Sequence, residues 1–278
     1  LWAARACDAT VVVSPVEKQI LEAELPNVKV YVIPNVHPVQ GRGRAFADRA
    51  DLLFVGYYPH LPNRDAALYF IREIFPHVKK HLPEVKLYLV GPEPGEELER
   101  LAGDDIVITG WVKDLTPYLE GCRVFVSPLR YGAGIKGKIG ESMAHGLPVV
   151  TTSVGAEGMG LTDGTEALIA DDPTGFARKV VQLYRDQQLW ERLSKAGLDF
   201  VDRAYSPSAL ATSLQNMVES VRGGLAGRGR SQCNICGSRG GFLPNNGHHK
   251  EGYACVSCAA ISRDRMLIST LGLCIGRS

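Results

Sequence analysis

One stretch of the chain decides the fold: Gly134-Ile135-Lys136-Gly137-Lys138-Ile139-Gly140-Glu141-Ser142-Met143-Ala144-His145-Gly146-Leu147-Pro148-Val149-Val150-Thr151-Thr152. An apolar run precedes it, a glycine-rich turn leads into a helical pattern, and a second apolar run follows. A glycine turn that enters a helix presents free backbone N–H groups to anions, and cationic side chains add positive charge. The pattern therefore predicts a diphosphate site built from Gly134, Arg130, Lys136 and Lys138.

Glu141 belongs to the same helical pattern, and we expect it in the first turn of the helix. There its carboxylate could accept two hydrogen bonds from the vicinal hydroxyls of a ribose. Acidic residues also favour helix N-termini through the helix dipole alone. The surrounding glycine and lysine pattern favours ribose binding over that simpler explanation.

Around this stretch, short apolar runs alternate with longer amphipathic segments. The pattern predicts strands at residues 10–14, 28–33, 51–56, 86–90, 106–109, 124–127, 148–152 and 167–170. It predicts helices at residues 16–24, 64–81, 96–102, 115–120, 138–145, 173–186 and 188–205. Such alternation is typical of an α/β protein with a doubly wound parallel, Rossmann-like sheet covered by helices on both faces.

Ligands of open parallel sheets bind beyond the carboxyl ends of the strands, so function is expected in the loops there. The loop after Leu53-Phe54-Val55 begins with Gly56, whose backbone could approach a ligand closely, and continues to Arg64. The loop of residues 153–158 would flank the same cleft. Asn63 is predicted to be the N-cap of the helix that contains Arg64.

Composition sets the broad class of protein. The 278 residues are 45% hydrophobic and carry a net charge of +1, which is typical of a globular protein and gives no reason to expect nucleic acid as a partner. No apolar run is long enough to span a bilayer, and the first five residues do not resemble a signal peptide. We therefore expect a cytoplasmic protein, with peripheral membrane contact left open. The abrupt ends at Leu1 and Ser278 suggest an excerpt of a longer chain.

The quoted stretch resembles the donor-site signature of the retaining, nucleotide-sugar-dependent glycosyltransferases of the GT-B fold, often called glycosyl transferases group 1. Other segments match that family in order: Ile33-Pro34-Asn35-Val36, Phe54-Val55-Gly56, Pro62-Asn63-Arg64-Asp65-Ala66, Leu89-Val90-Gly91-Pro92 and Thr109-Gly110-Trp111-Val112. The resemblance implies that the chain carries the C-terminal lobe, which grips the donor. It matches Glu141 to the ribose-binding glutamate and Lys136 and Lys138 to the diphosphate-binding stretch.

The implied reaction transfers a sugar from a nucleoside-diphosphate sugar to a glycan, lipid or protein acceptor, with retained anomeric configuration and no required metal. Two features of the chain depart from the family pattern. Many members have a glutamate where this chain has Ala133, and an Arg and Lys pair for which Arg64 is the nearest substitute. A catalytically inactive module that binds nucleotide sugars, or acts as a scaffold, is the alternative function.

Four cysteines near the C-terminus form two CxxC pairs separated by 18 residues: Cys233, Cys236, Cys255 and Cys258. This spacing predicts a structural zinc site with four thiolate ligands. His248 and His249 are interpreted as loop residues, although either could replace a thiolate. The segment resembles the zinc-ribbon leader ahead of some S-adenosylmethionine-dependent methyltransferase domains. A third reading makes this module a nucleic-acid or protein adaptor, but few basic residues and no aromatic platform accompany the cysteines.

These features divide the chain into four parts. Residues 1–43 are expected to hold the end of an N-terminal lobe and the interlobe crossover, and residues 44–222 the nucleotide-sugar-binding lobe. Residues 223–230 read as a glycine-rich linker, and residues 231–278 as the zinc-ribbon module.

Overall fold

The computed structural model describes residues 4–5, 7–132, 134–226 and 273–276. In chain order the main elements are β1 (Cys7–Val12), α1 (Pro15–Glu24), β2 (Val30–Val32), β3 (Ala50–Val55), α2 (Leu61–Tyr69), α3 (Phe75–Lys79), β4 (Leu87–Val90), α4 (Glu96–Glu99), β5 (Ile106–Gly110), α5 (Thr116–Gly121), β6 (Cys122–Ser127), α6 (Gly137–Ala144), β7 (Val149–Thr151), α7 (Ser153–Glu157), β8 (Leu168–Ile169), α8 (Pro173–Arg185), α9 (Gln187–Tyr205), α10 (Pro207–Ala226) and β9 (Leu273–Gly276).

The backbone divides into two compact units, one formed by Leu1–Pro34 with Leu210–Ser278 and the other by Asn35–Ala209. The predicted boundaries at residues 43, 222 and 230 stay predictions. The four zinc-site cysteines and both adjacent histidines lie outside the described residues, so the zinc module also stays a prediction. Within the described ranges, no group of three or more His, Cys, Asp or Glu side chains could hold a metal ion.

The first unit contains a three-stranded sheet in the order β2-β1-β9, with β1 parallel to β2 and antiparallel to β9. The strand predicted at residues 10–14 ends earlier, because Ser14 is the N-cap of α1. The Ser14 hydroxyl accepts a hydrogen bond from the Glu17 N–H at 3.2 Å, and the Glu17 carboxylate accepts one from the Ser14 N–H at 3.3 Å. This reciprocal capping box fixes where α1 begins.

The second unit contains a six-stranded sheet in the order β5-β4-β3-β6-β7-β8, and every neighbouring pair is parallel. Successive residues of β3 face opposite sides: Leu52 and Phe54 belong to one buried cluster and Leu53 to the other. Helices cover both faces, which confirms the predicted α/β class and the parallel sheet. The strand order reverses between β3 and β6, and such a switch point is where open parallel sheets bind ligands.

The helix predicted at residues 64–81 differs from the observed one. It begins at Leu61, where Pro62 is tolerated because a first-turn N–H needs no helical acceptor. Asn63 is therefore inside α2, and the predicted N-cap is wrong; His60 occupies that position without a side-chain hydrogen bond. A π-helical turn at Phe70–Ile74 separates α2 from α3, in front of a proline that cannot donate a helical hydrogen bond.

Two segments that were not predicted as helices are helical. Residues 153–158, expected as a loop, form α7, with the Thr152 hydroxyl accepting from the Gly155 N–H at 3.2 Å. The long helix α10 continues to Ala226, into the segment predicted as a linker. Among the helices that the structure describes, none combines the length and the apolar character needed to cross a bilayer.

Candidate functional site

The glycine-rich turn ahead of α6 is held together by Lys136. The side chain of Lys136 is buried, and its Nζ donates to the carbonyl oxygens of Gly132 at 3.0 Å and Gly134 at 2.8 Å. Burial lowers the pKa of Lys136, while the negative charge of Glu157 opposes that shift. In this conformation the ammonium group fixes the shape of the turn from within.

The N-terminal end of α6 has hydrogen-bond donors available. Lys136 is the N-cap residue, and its side chain makes no capping hydrogen bond to the helix. No described residue accepts a hydrogen bond from the backbone N–H of Gly137 or Lys138. These two amides carry the positive end of the helix dipole and are available to an anion.

Lys138 projects from the first turn of α6 toward β3. Its Nζ donates to Oδ1 of Asn63 and lies 4.5 Å from the centroid of the Phe54 ring. Asn63 is itself oriented by its Nδ2, which donates to the carbonyl oxygen of Tyr57 at 2.9 Å. Burial, with a smaller contribution from the charge of Lys136, lowers the pKa of Lys138 to about 7. The amine is thus poised between its charged and neutral forms near neutral pH.

A cavity of about 270 Å³ opens beyond the carboxyl ends of β3 and β4. Its apolar wall includes Val55, Val90, Pro92, Val112 and Leu115, while Lys138 and Asn63 supply polar groups and Gly56 and Gly91 supply backbone. Tyr57 and Trp111 also line the cavity, yet their side chains are 53% and 71% exposed. An apolar cleft with exposed aromatic faces and a few polar groups suits a flat, partly polar ligand.

Backbone packing shapes this cavity. A Cβ atom added to Gly91 would lie 1.8 Å from the carbonyl oxygen of Gly56, and the φ angle of Gly91 is +145°. Only glycine meets both conditions. The predicted ligand-approach residue Gly56 therefore lines the cavity and also makes a close backbone contact with the neighbouring strand end.

Glu141 is the fifth residue of α6, and the first turn contains no acidic residue. The prediction that placed Glu141 in the first turn was wrong, because the helix begins at Gly137. Glu141 still shares a face with Gly137 and Lys138, since residues three or four apart are neighbours on a helix. Helical side chains lean toward the N-terminus, which directs the Glu141 side chain toward the first turn of α6, although Glu141 is not among the residues that line the cavity. Its predicted ribose contact stays a prediction.

The two predicted arginines are already paired. Arg130 donates from Nε to Asp65 at 2.9 Å and makes a second bond through a terminal nitrogen, and its guanidinium lies 4.7 Å from the centroid of the Tyr69 ring. The hydrogen bonds to Asp65 raise the pKa of Arg130. Arg64 donates to Glu97 at 2.9 Å. Neither arginine lines the cavity, and their donor-binding roles stay predictions.

Sequence reasoning did not single out Tyr57, Asn63 or Trp111 as site residues. Trp111 and Asn63 did appear within matched segments, but nothing in those segments revealed that they face one cavity. A usable signal was present for Trp111: a large aromatic directly after the glycine that ends a strand is a candidate lining residue. His37, whose ring packs against Gly140, left no comparable signal.

Comparisons with known proteins give two curated relatives. One is an uncharacterized 44.6 kDa protein in the cps region of Klebsiella pneumoniae, 24% identical over 66% of this chain and 49% of that protein. The other is the lipopolysaccharide core biosynthesis glycosyltransferase LpsE of Rhizobium meliloti (strain 1021), 31% identical over 50% of this chain and 43% of that protein. The chain thus spans less than half the length of these relatives.

Solved structures share the fold. A TarM variant from S. aureus, in complex with fondaparinux, alpha-GlcNAc-glycerol and UDP, aligns with a TM-score of 0.66 at 16% identity, over 77% of this chain and 44% of that one. HepE from Anabaena, in complex with UDP-glucose, aligns with a TM-score of 0.62 at 15% identity, over 80% of this chain and 65% of that one. At these identities the alignments establish the fold.

The family comparison is confined to one part of the chain. Residues 49–186 match the family model described as Glycosyl transferases group 1. That range contains the whole six-stranded parallel sheet, the cavity and α6. The segment that matches a glycosyltransferase family is therefore the segment that forms the candidate site.

Proposed function

We propose that this chain carries the donor-binding lobe of a nucleotide-sugar-dependent glycosyltransferase of the GT-B fold. The observation that carries the proposal is the cavity at the carboxyl ends of β3 and β4, which Lys138 enters from the first turn of α6. The family match over residues 49–186 and the 31% identity to LpsE support the transferase class. HepE and TarM, which share the fold, are solved with UDP-glucose and UDP, and this favours a nucleoside diphosphate as the ligand.

Each part of the donor has a matching part of the site. The base enters the apolar cavity, where Tyr57 and Trp111 offer faces for stacking. The diphosphate lies against the free amides of Gly137 and Lys138, with the Lys138 amine at the cavity edge. The carboxylate of Glu141 accepts hydrogen bonds from the ribose hydroxyls between them. This order of apolar, acidic and electropositive groups suits a sugar nucleotide better than an inorganic anion, which would leave the cavity empty.

The proposed reaction moves a hexosyl group to a glycan, lipid or protein acceptor. The bond between the anomeric carbon and the diphosphate oxygen breaks, and its electron pair leaves with the diphosphate. A bond from the acceptor hydroxyl oxygen forms on the same face, with retention, and the hydroxyl proton leaves with the diphosphate. Backbone amides and Lys138 stabilise the growing negative charge of the leaving group. The cytoplasmic location and the four-cysteine zinc site are further parts of the proposal.

A ligand panel tests the proposal on the full chain. UDP-glucose, GDP-mannose and ADP-glucose are titrated while the thermal unfolding midpoint is followed. A ligand that binds only the folded state stabilises it by about 2.7 kcal/mol at a concentration of 100 times Kd. We expect one base class to raise the midpoint, and Glu141→Ala to weaken that ligand at least about tenfold, since each hydrogen bond to a charged group contributes about 1.5–3 kcal/mol.

Glu191→Ala is the matched control, because Glu191 is a half-buried α9 side chain whose carboxylate makes a solvent-exposed hydrogen bond to Gln187 and to no other described residue. It should leave the affinity unchanged. The proposal fails if no sugar nucleotide raises the midpoint. The ribose role fails if Glu141→Ala binds as tightly as the unsubstituted chain.

A further inference from the structure

His37 packs against the helix face next to Glu141. The imidazole is so close to Gly140 that a Cβ atom added there would lie 2.6 Å from Cδ2 and 2.7 Å from Nε2 of His37. At Gly137, an added Cβ would lie 3.9 Å from Cε1 of the same ring. The imidazole therefore covers the face between Gly137 and Gly140, and a larger residue at position 140 would have to displace the ring.

Backbone contacts at two places hold the segment that carries His37. The His37 N–H donates to the carbonyl oxygen of Tyr205 at 2.8 Å, and the two rings have centroids 6.1 Å apart. Three residues later, the Gln40 N–H donates to the carbonyl oxygen of Ala144 at 2.8 Å, at the last residue of α6. Residues 37–40 thus run along α6 from its first turn to its end, and the imidazole has a fixed position.

The ring nitrogen Nε2 of His37 is enclosed, and it has no hydrogen-bond partner among the described residues. Burial lowers the pKa of His37, and the negative charge of Glu141 acts against that shift. The imidazole is therefore neutral near neutral pH and has one ring N–H to donate. An enclosed polar nitrogen without a partner is unfavourable, and the charged group that acts on the His37 ring is the carboxylate of Glu141, the residue after Gly140.

We propose that His37 is a positioning residue for Glu141: its ring N–H donates to the Glu141 carboxylate when that carboxylate turns to the ribose hydroxyls of a bound nucleotide. This inference rests on the proposed function. A carboxylate has enough lone pairs to accept from both ribose hydroxyls and from the imidazole at once. The third hydrogen bond fixes the orientation of the carboxylate, so His37 contributes to the selection of ribose without touching the ligand.

The measurement that isolates this role is the preference of the chain for ribose nucleotides over their 2′,3′-dideoxy forms. Kd is measured by calorimetry on the full chain for UDP, ADP and GDP, each beside its 2′,3′-dideoxy form. For the base that binds, the unsubstituted chain should prefer the ribose form at least about tenfold. His37→Ala should reduce that preference about tenfold while leaving the Kd of the dideoxy form unchanged. His37→Asn, which keeps an N–H donor, should restore part of the preference.

Gln40→Ala is the control, because it keeps the backbone N–H that bonds Ala144 and removes only an exposed side chain of the same segment. It should bind both forms as the unsubstituted chain does. If His37→Ala weakens ribose and dideoxy forms equally, the residue supports only the fold and the inference is overturned. If Glu141→Ala abolishes the preference and His37→Ala does not, the inference fails while the proposed function stands. If the unsubstituted chain binds none of the nucleotides, the proposed function itself fails.

A second measurement needs no variant. In the ¹⁵N-histidine spectrum of the unsubstituted chain, the ring nitrogens of His37 should shift when the ribose form of the bound nucleotide is added. The dideoxy form, which does not engage Glu141, should leave them unshifted. Equal responses to both forms would overturn the inference even if the His37→Ala chain did not fold.

Discussion

Raising the pH should weaken sugar-nucleotide binding through Lys138. In the free chain, burial and the neighbouring Lys136 hold the pKa of Lys138 at about 7, against an ordinary value of 10.5. A diphosphate placed beside the amine adds negative charge and favours the ammonium form. The bound state therefore holds the proton more tightly than the free state. The affinity for the sugar nucleotide is therefore highest well below pH 7 and declines as the pH rises above 7.

The size of the effect follows from the two pKa values. If the diphosphate returns Lys138 to its ordinary pKa, affinity falls about tenfold per pH unit above pH 7. Between pH 6 and pH 8.5 the expected loss is about 30-fold, which corresponds to about 2 kcal/mol. Binding at pH 8 should be accompanied by the uptake of about 0.9 protons, since only about a tenth of the free chain then carries a charged Lys138.

Calorimetry measures both quantities. The ligand is the sugar nucleotide that the panel identifies, because its diphosphate is a diester that does not titrate between pH 6 and pH 8.5. Titrations at pH 8 in phosphate and in Tris separate the heat of proton uptake from the heat of binding. Lys138→Met is the diagnostic variant, and Lys195→Met, at an exposed α9 position paired with Asp199, is the control.

Lys138→Met should bind with a pH-independent Kd close to that of the unsubstituted chain at high pH, whereas Lys195→Met should keep the full pH dependence. A flat profile in the unsubstituted chain would mean that the diphosphate does not approach Lys138. A profile that persists in Lys138→Met would assign the titration to another group.

Three further outcomes are expected. Gly91→Ala should lower the free energy of unfolding by at least about 2 kcal/mol in urea denaturation, because the added Cβ collides with backbone at a strained φ angle. Its control is Gly103→Ala, at a position with open space around the glycine, which should change the free energy of unfolding by less than about 0.5 kcal/mol. Arg49→Met should lower the free energy of unfolding by at least about 2 kcal/mol in the same assay, since the buried guanidinium donates to five backbone carbonyl groups. Arg100→Met, at an exposed position, should leave the free energy of unfolding unchanged. Trp111→Ala should weaken nucleotide binding by about tenfold or more in calorimetry, because base stacking contributes about 1–3 kcal/mol. The unfolding midpoint should not change, because the Trp111 side chain is exposed. An unchanged Kd would mean that the base does not bind in the cavity.

The six-stranded sheet could be predicted from the sequence because each strand is a short apolar run, and its central strands β3, β4, β6 and β7 are largely buried. The boundaries could not, because they depend on individual hydrogen bonds and backbone geometry. Ser14 reads as the end of a strand until its capping box with Glu17 is seen. Asn63 reads as an N-cap, yet Pro62 is already inside the helix. The β7 to β8 connection reads as a loop because its helix, α7, is only five residues long.

The site was partly predictable. The placement of Lys136 and Lys138 at the start of the helix follows from the local pattern of a glycine turn that enters a helix, while their donor-binding roles stay predictions. Their separate roles do not follow, since only the fold reveals that Lys136 bonds the turn while Lys138 enters the cavity. The prediction for Arg130 rested on nearness in sequence to the turn. The structure pairs it with Asp65, a residue far away in the chain, and no local pattern could reveal that contact.

The glycines around α6 serve packing as much as ligand approach. A Cβ atom at Gly158 would lie 2.4 Å from the carbonyl oxygen of Gly134, and one at Gly140 would overlap the His37 ring. Neighbouring segments are therefore pressed against the turn and against the helix before any ligand arrives. A preformed site avoids the ordering cost that a flexible glycine loop would incur on binding. It follows that Gly140→Ala should act through His37 and Glu141, and should weaken ribose nucleotides more than their dideoxy forms.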